Sequence, residues 1–399
     1  MSSPATNDAH SKLPVACHPI RTFRVTIVAA VLLFAGYLVL NAWFLSQLGI
    51  RVSGDGALYV SGADDLSHGR PVQELLRSRF GYICLVALCQ ETGLLLAGVV
   101  TIQILIGGIA AIALYHLGSQ LAGPWAGIGA AAIFALNPDF VHWHCYILTD
   151  SLYISSVILA TWAIHWAVQG DKGRHWHRYL LAATILSVAP LIRPNGWLLV
   201  LIAACYWFAK LTPRLLIRVT GIVLAGIAFV IGFFLLLSAK PGLLTNSPET
   251  MLRRGEVIWG YPAARISMPP DEALESGLPG ASGYVLRHPL ASARLAVIRV
   301  LTELVHARPY YSPRHNAVCL LVVLPVYLFG LYGFCIFWKD DLARLIAFII
   351  VTHLTIQAVN YADWSGRFLL YVFPLMGVLA AVGIVHVLAK SRLPSITRR

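Results

Sequence analysis

Asp55 stands between Gly54 and Gly56 in the stretch RVSGDGALYVSGADD (51–65), directly after a long apolar run. Tyr59 follows four residues later, and Asp64 and Asp65 close the stretch. A carboxylate just past a membrane helix can take a proton from an acceptor hydroxyl or coordinate a divalent cation. Aspartate is also a good cap, and a short helix starting near Ala57 would use Asp55 in that way. The flanking glycines let the backbone turn tightly. A second polar cluster, NPDFVHWHCYILTD (137–150), brings Asp139, His142, His144 and Asp150 into one short segment. Histidines and carboxylates can hold a metal, yet His-x-His near Asp is a much looser pattern than the paired CxxC spacing of zinc sites.

Cations are placed as pointedly as the acids. Arg193 lies in LIRPNG (191–196) and Arg367 in GRFLLYVFP (366–374), each at the mouth of an apolar run. Ionisable groups so close to hydrocarbon are costly without a partner, which makes them functional candidates. A guanidinium fork matches phosphate in a bidentate way. Arg193 has the alternative of pairing with Asp150 or Asp139 to fix helix packing, so Arg367 is the better phosphate ligand. The segment ARPYYSPRHN (307–316) joins Arg308 and Arg314 to Tyr310, Tyr311 and His315, a candidate subsite for sugar or phosphate. Interfacial aromatics are the competing explanation of its tyrosines.

The elements that must position these residues are membrane helices. With 58% hydrophobic and only 12% charged residues in 399, the composition is that of an integral membrane protein. Apolar runs cover 25–48, 94–117, 125–140, 151–168, 179–191, 196–208, 215–237, 318–337, 345–359 and 368–388, and they predict ten crossings in an all-α protein. The first run lacks a cleavage site and reads as a retained helix. Lys172, Arg174, Arg178, Lys210, Arg214, Arg218, Lys339 and Arg344 fall on the side of Arg21, Arg24, Arg392, Arg398 and Arg399. That asymmetry predicts cytoplasmic termini.

The expected organisation is a cytoplasmic tail (1–24), one transmembrane domain (25–389) and a second tail (390–399). Two long outer loops, 49–93 and 239–315, carry the chemistry. Amphipathic helices along the membrane plane are expected near Val72–Cys89 and Leu290–Val305. Arginines of the second loop have Glu249, Glu256, Asp271, Glu272 and Glu303 as structural partners. The net charge of +12 fits anionic lipid better than nucleic acid. The seven cysteines are scattered in apolar surroundings and require no bridge. His175-Trp-His177 reads as an interfacial anchor.

Taken in order, Asp55 with Tyr59, Asn137-Pro138, Thr149-Asp150, LIRPNG and GRFLLYVFP resemble the GT-C glycosyltransferases that use polyprenol-phosphate sugars. That group includes the protein mannosyltransferases and the aminoarabinose transferase of lipid A. The resemblance runs across nearly the whole chain. It implies a GT-C membrane fold and transfer of a sugar from a polyprenyl phosphate at the outer leaflet to a lipid, glycan or protein acceptor, usually with inversion. It further implies that Asp55 is the catalytic base or the acid that orients the acceptor, with Tyr59, Asp139 and Asp150 as acceptor- or metal-orienting candidates. Arg193, Arg367, Arg308 and Arg314 are the phosphate candidates.

The sequence departs from that group in two respects. Many members carry paired acids in the first-loop motif, whereas Asp55 stands alone, which leaves dependence on a divalent cation such as Mg or Mn open. Many also append a soluble domain after the last span, where this chain has only a few basic residues. Size and compact build point to a bacterial inner membrane. Two alternatives remain: an outer-leaflet glycan polymerase or ligase with a lipid-diphosphate donor, and a lipid or sugar flippase. In the first of these Asp55 would be incidental.

Overall fold

Runs of apolar residues cannot leave backbone N–H and C=O groups unpaired in lipid, so they fold as helices. The computed structural model describes residues 19–169, 176–212, 248–270 and 278–391. The run at 215–237 lies outside the described residues, as do Lys172, Arg174, Arg214, Arg218, Asp271, Glu272 and the C-terminal arginines.

The other nine apolar runs are all helical. They are α1 (Pro19–Leu48), α5 (Leu95–Ala122), α6 (Pro124–Ala135), α8 (Thr149–Ala167), α9 (Trp176–Ile192), α10 (Gly196–Leu211), α14 (Pro313–Phe337), α15 (Asp341–Val359) and α16 (Phe373–Ser391). Five of them (α1, α5, α14, α15 and α16) are long and apolar enough to cross a membrane alone. Helix α6 rises only about 18 Å against a hydrocarbon core of about 30 Å. Its run is broken at Asn137-Pro138, where the Asn137 side chain accepts the Asp139 N–H at 2.9 Å and starts a new short helix, α7 (Pro138–Val141).

Helices α14 and α16 approach closely because Gly333 and Gly383 face the partner backbone. A Cβ would lie 2.1 Å from the Leu379 carbonyl oxygen at the first and 2.2 Å from that of Phe329 at the second. Helix α8 is the most enclosed, with fifteen buried residues from Thr149 to Ala167.

The connections at one end of the bundle hold the remaining helices: α2 (Asp55–Ser67), α3 (Glu74–Arg77), α4 (Phe80–Glu91), α11 (Pro248–Arg253), α12 (Leu278–Arg287) and α13 (Pro289–Val305). The expected amphipathic helix over Leu290–Val305 is α13, with Leu290, Val297 and Leu301 exposed against buried Leu295, Arg299 and Glu303. The one expected over Val72–Cys89 is corrected. That segment forms two helices, and α4 is apolar around its circumference, burying Tyr82, Ile83, Val86 and Ala87 in the main core. It is held by packing on α2 and α5 rather than by a lipid-facing stripe.

Short backbone bridges tie the connections together. Arg51 pairs with Tyr146, and the strand-like segment at 256–266 pairs through Ile258 with Ala362. At the opposite end of the bundle Lys210 and Arg344 both reach Asp341.

Candidate active site

The glycines beside Asp55 have separate causes. Gly54 adopts a positive φ of 53°, which a side chain disfavours. At Gly56 a Cβ would lie 2.7 Å from the Ile147 carbonyl oxygen, so only glycine lets the start of α2 rest on the segment entering α8. Replacing Gly56 with Ala forces these segments apart. The expected cost is about 1–3 kcal/mol, read as a lower Tm with reduced activity.

Gly54 is the N-cap of α2, and Asp55 is its first residue, with no side-chain cap bond. The capping reading of Asp55 is therefore corrected. Its carboxylate is exposed and makes no hydrogen bond or ion pair among the described residues. The other two acids of the motif are taken up elsewhere. Asp64 and Asp65 both pair with Arg70, further along α2 and its following turn. Tyr59 is buried edge-on to Tyr82 with ring centroids 5.3 Å apart, and the Arg79 guanidinium lies 5.9 Å above its ring. Burial raises the Tyr59 pKa against the pull of Arg79 and Arg193, so its hydroxyl is a neutral donor.

A buried charge network is assembled from three distant parts of the chain. Asp150, in the first turn of α8, accepts from Arg193 Nη1 at 2.6 Å, from the Tyr371 hydroxyl at 2.5 Å and from Arg367 Nη1 at 3.4 Å. Arg367 also donates through Nε to Asp363 at 3.0 Å. Burial alone would lower the Arg367 pKa, but the carboxylates of Asp150 and Asp363 hold it above the ordinary value. Asp363 further accepts from the backbone N–H and hydroxyl of Ser365. Two guanidiniums thus face two carboxylates, and the cluster is close to electroneutral. Of the two structural partners considered for Arg193, the structure selects Asp150.

Asp139 lies apart, half-exposed, with His306 Nε2 3.7 Å from its carboxylate. Burial would raise the Asp139 pKa, but the bond to and charge of His306, with His142 and His315 further out, bring it below the usual value. The histidines at 142 and 144 do not converge. His142 Nδ1 is 2.9 Å from the Pro138 carbonyl, while His144 is buried with Nδ1 2.9 Å from Asn41 Oδ1. Burial pushes the His144 pKa down to about 3, which keeps the ring neutral.

Arg308 is another correction. It is fully buried, and its five N–H groups go to Glu303 and to the carbonyls of Thr302, Ala307 and Asp363. It offers nothing to a phosphate and instead staples α13 to the segment before Arg367. Arg314 is exposed in the first turn of α14, and the His315 ring packs on Tyr311 at 4.5 Å. Tyr310 donates to the Trp364 carbonyl.

Among the described residues no three His, Cys, Asp or Glu side chains form a metal-binding group. Asp150, the buried acid nearest the mouth, already has both oxygens engaged by Arg193, Arg367 and Tyr371. Among the described residues no set of side chains fits a resident divalent cation.

Sequence reasoning missed Arg79, Tyr361, Asp363 and Tyr371. Arg79 is half-buried, and among the described residues it forms no ion pair and its buried Nε has no hydrogen-bond partner. The Tyr361 hydroxyl lies in the fields of Asp363, Arg367, Asp55 and Arg79. Two signals were available: an arginine immediately before an apolar helix in the same loop as Asp55, and the i, i+4 spacing of Asp363 and Arg367.

Residues 86–238 match the family model of dolichyl-phosphate-mannose-protein mannosyltransferases. No curated protein matches the chain significantly. Among solved structures, the apo oligosaccharyltransferase of Archaeoglobus fulgidus superposes with a TM-score of 0.54 at 13% identity, over 92% of this chain and 51% of that one. The same organism's oligosaccharyltransferase AglB, in complex with an inhibitory peptide and a dolichol-phosphate, superposes with a TM-score of 0.50 at 13% identity, over 92% and 52%. The chain spans about half the length of these structures, and at such identity they speak to the fold. Segment 86–238 thus resembles the dolichyl-phosphate-mannose-protein mannosyltransferases, and the chain as a whole shares its helical fold with the archaeal oligosaccharyltransferase.

Proposed function

We propose that the chain transfers a sugar from a polyprenyl phosphate carrier to a hydroxyl or amine of a lipid, glycan or protein acceptor, with inversion. Asp55 takes the acceptor's proton, and the acceptor atom bonds to the anomeric carbon from the face opposite the leaving group. The bond from that carbon to the phosphate oxygen breaks, and its electron pair leaves with the polyprenyl phosphate. The observation that carries this reading is that Asp55 and Arg79 form no ion pair among the described residues, while the Arg79 guanidinium lies over Tyr59, one helical turn after Asp55.

Charge balance favours Arg79 as the partner of the phosphate. Arg193 and Arg367 are already neutralised by Asp150 and Asp363, so they orient the site more than they add positive charge. Arg79 still has its full charge to give to a leaving phosphate. The dolichyl-phosphate-mannose donor in the matched family's name, and the dolichol-phosphate held by AglB, support a polyprenyl phosphate as carrier. The site end faces outward in this reading, with both termini in the cytoplasm and a bacterial inner membrane as the setting. Lys210, Arg344 and Arg178 at the opposite end of the helices support that orientation. One transmembrane domain (25–389) then contains the whole site.

The test is transfer of radiolabelled sugar from a panel of polyprenyl phosphate sugars to membrane acceptors by the full chain in nanodiscs. Wild type is expected to use at least one monophosphate donor. Arg79→Gln is expected to lose roughly 10- to 100-fold in kcat/KM, the worth of a hydrogen bond to a charged group, with Arg79→Lys recovering part of it. Turnover of lipid-diphosphate donors alone would overturn the reading.

A further inference from the structure

Six aromatic side chains from three non-helical segments meet beside the mouth: Trp259 and Tyr261, Tyr310 and Tyr311, Tyr361 and Trp364. Trp259 lies nearly parallel to Tyr361, with ring centroids 6.1 Å apart and planes at 29°. Tyr310 lies nearly parallel to Trp364, at 6.0 Å and 29°. Tyr261 and Tyr311 meet Tyr310 edge-on at 5.0 and 5.3 Å. Both indoles remain open, Trp259 at 47% and Trp364 at 58% exposure.

The wall is held rigidly from behind. Trp259 N–H donates to the Ala362 carbonyl at 3.1 Å, and Ala362 N–H donates back to Val257 at 2.8 Å. The Tyr310 hydroxyl donates to the Trp364 carbonyl. Underneath, buried Arg308 binds the Asp363 carbonyl, while its own backbone is gripped by Asn316 at 3.0 and 2.9 Å.

Membrane-interface anchoring does not account for this grouping. Other exposed tryptophans of the chain, Trp43, Trp125, Trp176 and Trp338, stand at or near helix termini in the manner of interface anchors. The wall instead gathers its rings on connecting segments, and its Tyr361 lies two residues before Asp363, which Arg367 links to Asp150 in the segment on which Gly56 rests. A sugar ring has one apolar C–H face and a rim of hydroxyls. The first packs on the electron-rich face of an aromatic ring, and the second can bond to phenols and indole N–H groups. Two ring pairs offer more than one face on which a sugar can pack.

We infer that the Trp259–Tyr361 and Tyr310–Trp364 pairs form an acceptor subsite for a carbohydrate chain, so that the acceptor is a glycan whose terminal hydroxyl reaches Asp55. This rests on the glycosyltransferase reading above for the transfer step, but not for the binding itself.

Binding and transfer are measured separately, on the full chain in nanodiscs. Binding is read from tryptophan fluorescence during titration with short mannan, glucan, galactan and arabinan fragments, with no donor present. Transfer is read as label moved from the polyprenyl phosphate donor to the same fragments, to peptides and to sugar-free lipids. At least one fragment series is expected to bind saturably and to accept sugar. Trp259→Ala and Trp364→Ala should each raise its KM roughly tenfold with kcat little changed, Trp→Phe should restore most of the loss, and Trp125→Ala should have no effect. No fragment binding, transfer confined to peptides or sugar-free lipids, or an unmoved KM in both wall variants overturns the inference. Fragment binding that the wall variants abolish, in a protein that turns over no donor, supports the wall and sinks the transferase reading alone.

Discussion

Asp55→Asn is expected to reduce sugar transfer by about 10²- to 10⁴-fold, the usual worth of a positioned general base. The substitution keeps size and shape, and Gly54 and Gly56 still set the backbone. Asp55 makes no hydrogen bond or ion pair among the described residues, so no structural bond is lost with the charge. Tm and elution profile should therefore match the wild type while kcat collapses. The comparison is initial transfer rate at saturating donor, beside thermal unfolding of the same preparation. Undiminished transfer would move the base to another acid, with half-exposed Asp139 the first to examine, since Asp150 is enclosed by two guanidiniums and a phenol.

Asp150→Asn is expected to act in the opposite manner, on the fold before the chemistry. The side chain is 2% exposed and supports Arg193, Arg367 and Tyr371 at once. Removing its charge leaves two guanidiniums facing the single carboxylate of Asp363. Breaking a buried pair from one side costs about 3–5 kcal/mol, because the remaining charge is stranded in low dielectric. A large fall in Tm in detergent is the measurable outcome, with transfer lost because Arg367 no longer has a fixed position. Adding Arg193→Met to Asp150→Asn should recover part of the Tm, since the stranded cation is then removed as well. A single variant as stable as wild type would show that the network is not a structural lock.

These two acids were equally conspicuous in the sequence, and nothing in their neighbours told their roles apart. Asp55 lies in a glycine-flanked motif and Asp150 in Thr-Asp at the start of an apolar run, and both invite a catalytic reading. Their difference comes from long-range pairing. Arg193 is 43 residues from Asp150 along the chain, and Arg367 is 217 residues away. Arg308 shows the same limit. Its setting among tyrosines and a second arginine suggested a phosphate subsite, yet the fold turns it inward to bind Glu303 and three carbonyls. Arg79 is the converse case. It stands before an apolar helix like many interfacial arginines, and only the fold shows that it forms no ion pair among the described residues.

What the sequence determined by itself was the class of protein and the location of its helices. Long apolar runs in lipid have only one way to satisfy their backbone, so composition and run length suffice. It also singled out the segments to consider for chemistry, since charged groups at the edge of hydrocarbon need a reason to be there. What only the tertiary structure decided was which of those charges is free to act. A guanidinium with a carboxylate 3 Å away is largely neutralised and one without keeps its charge, and contacts at that scale are made by chain segments that the linear order keeps apart.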